Sequence, residues 1–118
     1  MITVIVYFKF SDELTREEII SKFEHNVQKW SENQDLIRKN YIIDLDRGVA
    51  GGVYLWKEKM HAEIWLGAEF RKMVKDSYCE EPSFQFFETP IVVDNIAGDI
   101  MRELDLFVIK QFINVFKA

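Results

Sequence analysis

Two segments of the chain are apolar on both of the faces that a β-strand presents. Residues 2–10 read ITVIVYFKF and residues 84–93 read FQFFETPIVV. The β-branched and aromatic residues that favour strands fall on odd and even positions alike. A strand of this kind has to be covered on both sides. Pro90 lacks an N–H group and therefore belongs at a sheet edge or a bulge. The chain is thus expected to build a sheet with a packed layer on each face.

A capping box followed by an apolar stripe with helical spacing predicts the first helix. Thr15 followed by Glu18 matches a capping box. Apolar residues then recur at three- and four-residue steps, namely Ile19, Ile20, Phe23, Val27 and Trp30. We expect an amphipathic helix that ends at about Ser31. His25 lies opposite the stripe, so its side chain should face solvent.

A second helical pattern begins at Glu58 and changes its phase at Gly67. Before the change, Met60, Ile64 and Ala68 form one stripe, with His61 and Trp65 beside it. After the change, the apolar set is Leu66, Phe70, Met73 and Val74. This pattern predicts two short helices that are separated at Gly67.

The middle of the chain predicts a β-hairpin. Residues 37–45 (IRKNYIIDL) and 49–57 (VAGGVYLWK) have strand character, and Asp46-Arg47-Gly48 between them is typical of a turn. Gly51 and Gly52 lie inside the later strand. Glycine there indicates a bulge or a close approach to the backbone, by a helix or as the floor of a pocket.

The predicted element order is β-α-β-β-α-β, so the fold class is α+β and ferredoxin-like, with a four-stranded antiparallel sheet. Two helices would cover one face of this sheet. The other face would expose a large apolar surface to water. The simplest remedy is a second copy, and we therefore expect a homodimer that packs through the open sheet face as a dimeric α/β barrel.

The last part of the chain is predicted as an extension of this domain. We expect a ferredoxin-like domain over residues 1–95 and an amphipathic extension over residues 96–118. After a possible cap at Asp99, apolar residues recur with helical spacing: Ile100, Leu104, Phe107, Val108, Phe112, Val115 and Phe116. We interpret this segment as an extra C-terminal helix, with a swapped strand as the alternative. Its charged residues make it too polar to span a bilayer.

Composition excludes several classes of function. Fifteen Lys and Arg residues against twenty Asp and Glu residues give a net charge of −5, so a general nucleic-acid binder is not expected. The single cysteine, Cys79, cannot form an internal disulfide, and no leader pattern follows Met1. We therefore expect a cytoplasmic protein with no membrane attachment. His25 and His61 lie far apart, no zinc-binding or phosphate-binding motif occurs, and no metal site is expected.

The hairpin resembles a known family. Residues 36–41 (LIRKNY) and 50–56 (AGGVYLW) are similar to the small bacterial YdhR-like monooxygenase family of the dimeric α/β-barrel superfamily. In that family a Leu-x-x-Lys-x-aromatic strand precedes an Ala-Gly-Gly-aliphatic-Tyr-aliphatic-aromatic strand. Residues 7–10 (YFKF) of the first strand and the helix after Trp56 are also similar, so the likeness covers about residues 1–95. The tail from Ile96 has no counterpart.

The resemblance implies a cavity between sheet and helices in each subunit. Relatives in the superfamily oxidise polycyclic phenols with molecular oxygen and without metal or flavin. The expected function is therefore that of a cofactor-independent monooxygenase acting on an aromatic or polyketide-like small molecule, with no cofactor. Other branches isomerise lactones or degrade haem, and the absence of asparagine from the first strand argues against the haem branch. The alternatives are a noncatalytic dimeric module that binds a small ligand or serves interactions, and an isomerase that uses the same pocket.

Such an oxygenase needs a base in a dry cavity, aromatic walls and a polar group that holds the substrate. Histidine exchanges a proton near neutral pH, and His61 flanks the apolar stripe of its helix, so His61 is the candidate base. Trp65, one turn later, could stack on a bound ring. The other candidates are wall or hydroxyl contacts from Tyr41, Tyr54 and Trp56, and an oxyanion or amide contact from Asn26. For the four aromatic residues the alternative is a packing role in the core or the dimer interface. For His61 the alternative is packing or hydrogen bonding without a catalytic role, and for Asn26 it is an ordinary surface position.

Overall fold

The computed structural model describes residues 1–103, and its elements follow the predicted order. The strands and helices are β1 (Ile2–Lys9), α1 (Arg16–Ser31), β2 (Leu36–Asp44), β3 (Val49–Trp56), α2 (Lys59–Trp65), α3 (Ala68–Tyr78), β4 (Ser83–Glu88), β5 (Ile91–Asp94) and β6 (Asp99–Arg102). Four strands form an antiparallel sheet in the order β2-β3-β1-β4. This is the ferredoxin-like arrangement, and the predicted fold class is confirmed.

Helix α1 begins where the capping box predicts. The Thr15 hydroxyl accepts a hydrogen bond from the Glu18 N–H at 3.2 Å, and the Glu18 carboxylate accepts one from the Thr15 N–H at 3.4 Å. Two donors that the first turn leaves unpaired are thereby satisfied. The helix buries Ile19, Phe23 and Trp30 against the sheet, while His25 on the other side is exposed.

The core lies between the sheet and the helices. Val4, Val6 and Phe8 of β1 face it, as do the side chains of Tyr54 and Trp56 on β3. These residues alternate with the residues of the open face, as the two-residue period of a strand requires. Apart from the helical residues above, the core is completed by Ala50, Ala62, Leu66, Phe70, Val74 and Tyr78.

The predicted break at Gly67 is confirmed, but the predicted stripe on α2 faces the wrong way. Gly67 precedes the first residue of α3, and Leu66, Phe70 and Val74 are buried as expected. On α2, however, the side chains of Met60 and Ile64 are 56% and 66% exposed, whereas Ala62 is fully buried. A helix of seven residues docks through its small residue, which allows a close approach to the sheet.

The predicted strand over residues 84–93 is two strands. Strand β4 ends at Glu88, and after Thr89 and Pro90 the chain leaves the sheet to form β5, which pairs with β6. Because Pro90 has no N–H group, it cannot continue the ladder with β1.

Asp99, predicted to cap a C-terminal helix, begins strand β6 instead. Two features stabilise the preceding turn. Asp94 accepts hydrogen bonds from the N–H groups of Ile96 and Ala97, and Gly98 adopts a φ of +73°. These contacts, together with Arg38 at 3.5 Å, lower the pKa of Asp94. Residues 104–118, on which most of the predicted helix falls, lie outside the described part.

The β5–β6 hairpin covers part of the open sheet face. Val92 lines a depression there with Thr3 and Leu55, and Asp94 pairs with Arg38 on β2. Ile91 and Val93 point the other way and are exposed. The open face otherwise consists mainly of apolar side chains that are half-buried or exposed, namely Ile5, Tyr7, Ile42, Val53 and Phe87. Of these, Ile42 and Val53 line the same depression as Val92. Over residues 1–103, no helix is long and apolar enough to cross a membrane.

The two glycines of β3 do not mark a bulge. The ladder between β1 and β3 runs through them without interruption, and the one register shift against β3 lies in β2, between Leu36 and Arg38. At Gly51 the neighbour is backbone, because a Cβ atom would stand 1.9 Å from the Val6 carbonyl oxygen. At Gly52 the neighbours are side chains, Tyr54 and Lys39, at 3.0 and 3.1 Å from a Cβ atom.

We expect Gly51→Ala to destabilise the fold severely, by about 3 kcal/mol, because β1 and β3 would have to separate to admit the methyl group. Gly52→Ala is the matched control. Its methyl group would meet side-chain atoms of Tyr54 and Lys39 at 3.0 and 3.1 Å and the Asn40 carbonyl oxygen at 3.4 Å. None of these contacts is as close as the one to the Val6 backbone, so the substitution should cost about 1 kcal/mol. Urea denaturation of the two variants checks this difference, and equal losses of stability would contradict it.

Candidate active site

A cavity lies between the sheet and helices α1 and α3. Its walls include Asn26 of α1, Lys39 and Tyr41 of β2, Tyr54 of β3, and Phe70 and Tyr78 of α3. Both glycines of β3 also line it. The centre of a water molecule can occupy about 30 Å³ of this space, which is room for one or two waters. A larger ligand must displace side chains, and Met73 in the wall has the flexibility to move.

Lys39 places its ammonium group among three aromatic rings. The Nζ atom lies 4.0 Å from the ring centroid of Tyr41, 4.5 Å from that of Tyr54 and 4.6 Å from that of Trp30. Lys39 faces the helices because β2 alternates and Tyr41 and Ile43 point the same way. Gly52 on the adjacent strand leaves the space that the stem of the lysine occupies.

Burial is the main influence on the charge of Lys39. It lowers the pKa of the amine from 10.5 to about 7, and the nearby charge of Lys29 on α1 acts in the same direction. The three ring faces favour the ammonium form and oppose part of this shift. No acidic side chain among residues 1–103 forms an ion pair with Lys39. The amine therefore carries a substantial neutral fraction at neutral pH.

Tyr41 and Asn26 form a polar pair in the same wall. The Tyr41 hydroxyl donates to the Asn26 Oδ1 atom at 2.6 Å. Burial, followed by the charge of Glu24, raises the pKa of Tyr41 to about 12. Burial also raises the pKa of Tyr54 well above its ordinary value. Both phenols therefore stay protonated near pH 7 and can act as hydrogen-bond donors.

His61 and Trp65 form a different cluster, around Asp35. The His61 Nε2 atom is 3.6 Å from Asp35 Oδ1, and the Trp65 indole N–H donates to Asp35 Oδ2 at 2.9 Å. Neither side chain is among those that line the cavity. The His61 Nδ1 atom is buried and has no protein partner among the described residues. The predicted base and its predicted stacking partner thus lie together, but apart from the cavity.

Of the remaining predicted site residues, three line the cavity and one does not. The structure brings Asn26, Tyr41 and Tyr54 together in the cavity wall. Trp56 lies behind that wall, fully buried and stacked on Tyr54, with ring centroids 6.0 Å apart. Its indole N–H has no protein partner among the described residues. Trp56 supports the wall rather than lining it.

Lys39 is the residue of the cavity wall that the sequence analysis did not single out. The available signal was its position on a strand face that otherwise carries Tyr41 and Ile43, since a lysine between apolar neighbours on a core-facing register is unusual. Within residues 1–103, no group of three or more His, Cys, Asp or Glu side chains is arranged to hold a metal ion.

The depressed pKa of Lys39 makes a prediction about stability. In the unfolded chain this lysine keeps its proton up to about pH 10.4, while in the folded protein it loses the proton near pH 7. Between these values the unfolded state binds more protons, so a rise in pH favours folding. Relative to Lys39→Met, the free energy of unfolding of the wild-type protein should increase by about 1.5 kcal/mol from pH 7 to pH 8.5. Denaturation at the two pH values measures it, and a constant difference between the proteins would refute it.

Comparison with known proteins supports the fold. No protein-family model matches the sequence, and no curated protein matches it. Among solved structures, an antibiotic biosynthesis monooxygenase superposes with a TM-score of 0.60 at 14% identity, over 75% of this chain and 98% of that one. SnoaB, a cofactor-independent oxygenase from Streptomyces nogalater solved as a variant, gives a TM-score of 0.57 at 10% identity, over 78% and 95% of the two chains. A structural genomics protein, YjcS, gives a TM-score of 0.57 at 11% identity, over 75% and 99%. At these identities the likeness concerns the fold, and this chain has the ferredoxin-like fold of the antibiotic biosynthesis monooxygenases.

Proposed function

We propose that this protein is a cofactor-independent monooxygenase that oxidises an aromatic or polyketide-like small molecule in the cavity between sheet and helices. The observation that carries the proposal is the wall itself, where a partly neutral amine, a phenol-amide pair and aromatic rings meet around one space. The shared fold with an oxygenase of this kind adds support. The YdhR-like relationship, by contrast, rests on the sequence resemblance alone.

The chemistry needs an electron-rich substrate. Removal of a phenolic proton gives a phenolate, which passes one electron to molecular oxygen and leaves a radical pair in the cavity. The pair combines to a peroxide at a ring carbon, and loss of water leaves a carbonyl group there. One oxygen atom enters the product and the other leaves as water, so the overall change from phenol and oxygen to quinone and water is balanced.

Two side chains are candidates for the base. Lys39 lies in the cavity wall, and its neutral fraction can accept the phenolic proton, after which the ammonium group stabilises the phenolate. Asn26 and Tyr41 would hold a second oxygen of the substrate. His61, paired with Asp35, is the second candidate, with Trp65 as its stacking residue. We favour Lys39 because it lines the cavity, whereas His61 does not.

We also propose that the protein is a homodimer through its open sheet face. Ile5, Tyr7 and Val53 lie on this face, and Phe87 beside them is 50% exposed. An apolar sheet surface of this kind is unfavourable in water, and a twofold-related copy would cover it. The cytoplasmic location and the absence of a nucleic-acid partner stay predictions from composition.

The base assignment is tested by oxygen consumption with a panel of phenols and hydroxylated polycyclic compounds. Lys39→Met should lower kcat/KM by about 100-fold or more, which is the contribution of a general base. His61→Ala should change it by less than about threefold, and Lys72→Met, at an exposed lysine of α3, is the matched control. The wild-type rate should fall as the pH drops below about 7, as Lys39 becomes protonated. If His61→Ala abolishes turnover and Lys39→Met does not, the base is His61.

The same assay separates the alternative functions. Binding of a panel compound without oxygen consumption or product would contradict the enzyme and favour a noncatalytic ligand-binding module. Conversion of a compound to an isomer without oxygen consumption would favour an isomerase. Titration calorimetry and product analysis by mass spectrometry distinguish these results.

The dimer is tested by sedimentation equilibrium at micromolar concentrations. We expect the wild-type protein to be dimeric, and Val53→Lys or Phe87→Glu to shift it to monomer, because each places a charge in the proposed interface. Val27→Lys, at an exposed position of α1, should leave the dimer intact. Circular dichroism confirms that the variants fold. A wild-type protein that is monomeric at these concentrations would contradict the proposal.

A further inference from the structure

We propose that Lys39 is a covalent binding site for small carbonyl compounds: its amine condenses with an uncharged aldehyde or ketone in the cavity and forms a reversible imine. This inference does not depend on oxygenase activity. It concerns a ligand that binds covalently to Lys39, whether or not that ligand is oxidised.

The geometry leaves the amine available in the cavity wall. Lys39 lines the cavity, and among the described residues its Nζ atom has no hydrogen-bond or ion-pair partner. The Nζ atom instead lies over the ring faces of Tyr41, Tyr54 and Trp30. A carbonyl carbon that enters the cavity therefore meets an amine that no carboxylate holds in the charged form.

The electrostatic surroundings favour the neutral amine, which is the nucleophile. On α1, Lys29 disfavours the ammonium form, while Glu24 acts on Tyr41. On β3 and α3, the phenols of Tyr54 and Tyr78 have raised pKa values and stay neutral, so neither supplies a negative charge near pH 7. An exposed lysine with an ordinary pKa is about 0.04% neutral at pH 7, whereas Lys39 is about half neutral.

The condensation balances without any further reactant. The nitrogen lone pair attacks the carbonyl carbon, the C=O π bond breaks, and the proton released from nitrogen passes to the oxygen to give a carbinolamine. Expulsion of that hydroxyl group with a second proton forms the C=N bond and one molecule of water. The Tyr41 hydroxyl, a protonated donor held by Asn26, is placed in the same wall to supply and recover this proton. Water reverses the sequence.

The walls also define the class of the ligand. Apart from Lys39, the residues that line the cavity carry no charged side chain. A carboxylate or phosphate on the ligand would have no second cation to pair with, and burial without a partner is costly. The aromatic walls and the small free space instead suit a short or flat apolar body. A neutral aldehyde or ketone fits this description.

The test is reductive trapping in the full-length wild-type protein. Propanal or benzaldehyde is added at pH 7 with sodium cyanoborohydride, which reduces only the imine, and peptide mapping gives the labelled fraction at each lysine. We expect labelling of Lys39 to exceed that of exposed Lys29 and Lys72 by about tenfold or more, since its neutral fraction is higher. The α-amine of Met1 is left out of the comparison, because terminal amines also react near neutral pH.

Two variants and a change of pH sharpen the result. Labelling at Lys39 should fall about tenfold or more from pH 7 to pH 5.5, as the amine takes up a proton. Lys29→Gln should reduce it several-fold at pH 7, because loss of the neighbouring charge raises the pKa of Lys39. Tyr41→Phe should slow the labelling rate at Lys39 and leave that at Lys72 unchanged. Equal labelling of all lysines, or an unlabelled Lys39, would overturn the proposal irrespective of any oxygenase result.

Discussion

The close approach of the two central strands is the constraint on which the rest of the structure depends. At Gly51 the backbone of β1 occupies the space that any side chain would fill, because a Cβ atom there would lie 1.9 Å from the Val6 carbonyl oxygen. One residue later, Gly52 leaves room on the opposite face, and Lys39 with Tyr54 fills it. Two adjacent glycines thus serve the two faces of one strand. The first closes the sheet, and the second makes space for the amine in the cavity wall.

Burial of the Lys39 amine lowers the stability of the folded protein. A lysine in a core-facing register needs either a carboxylate partner or a loss of charge. The described residues supply no carboxylate, and instead three ring faces surround the ammonium group at 4.0 to 4.6 Å. The rings stabilise the charged form only in part, so the amine titrates near neutral pH. A methionine at this position would fill similar space without an amine to bury.

The fold was predictable wherever a local signal and the tertiary structure agree. The capping box at Thr15, the break at Gly67 and the exposure of His25 each follow from short-range chemistry or helical period, and each is confirmed. The errors arise where two local signals compete. Asp99 resembled a helix cap, yet the turn formed by Asp94 and Gly98 directs the chain into a hairpin. Apolar alternation through residues 84–93 concealed the break that Pro90 imposes.

The candidate site was predictable only in the part that a strand register fixes. The two-residue period of a strand puts Tyr41 on one face with Ile43, and in the structure this face and Tyr54 point to the helices. Asn26 lies at the margin of the apolar stripe of α1. The apolar stripe of α2 did not indicate where His61 lies relative to the cavity. A seven-residue helix can dock through any of its faces, and α2 docks through Ala62. The same register that fixes Tyr41 also fixes Lys39, two residues earlier on the same face. Lysine is usually assumed to reach solvent along its flexible stem, but here the stem lies over Gly52 and the amine ends among rings. The register of β2 was therefore sufficient to predict that Lys39 faces the helices. The assumption that a lysine side chain reaches solvent argued against that prediction.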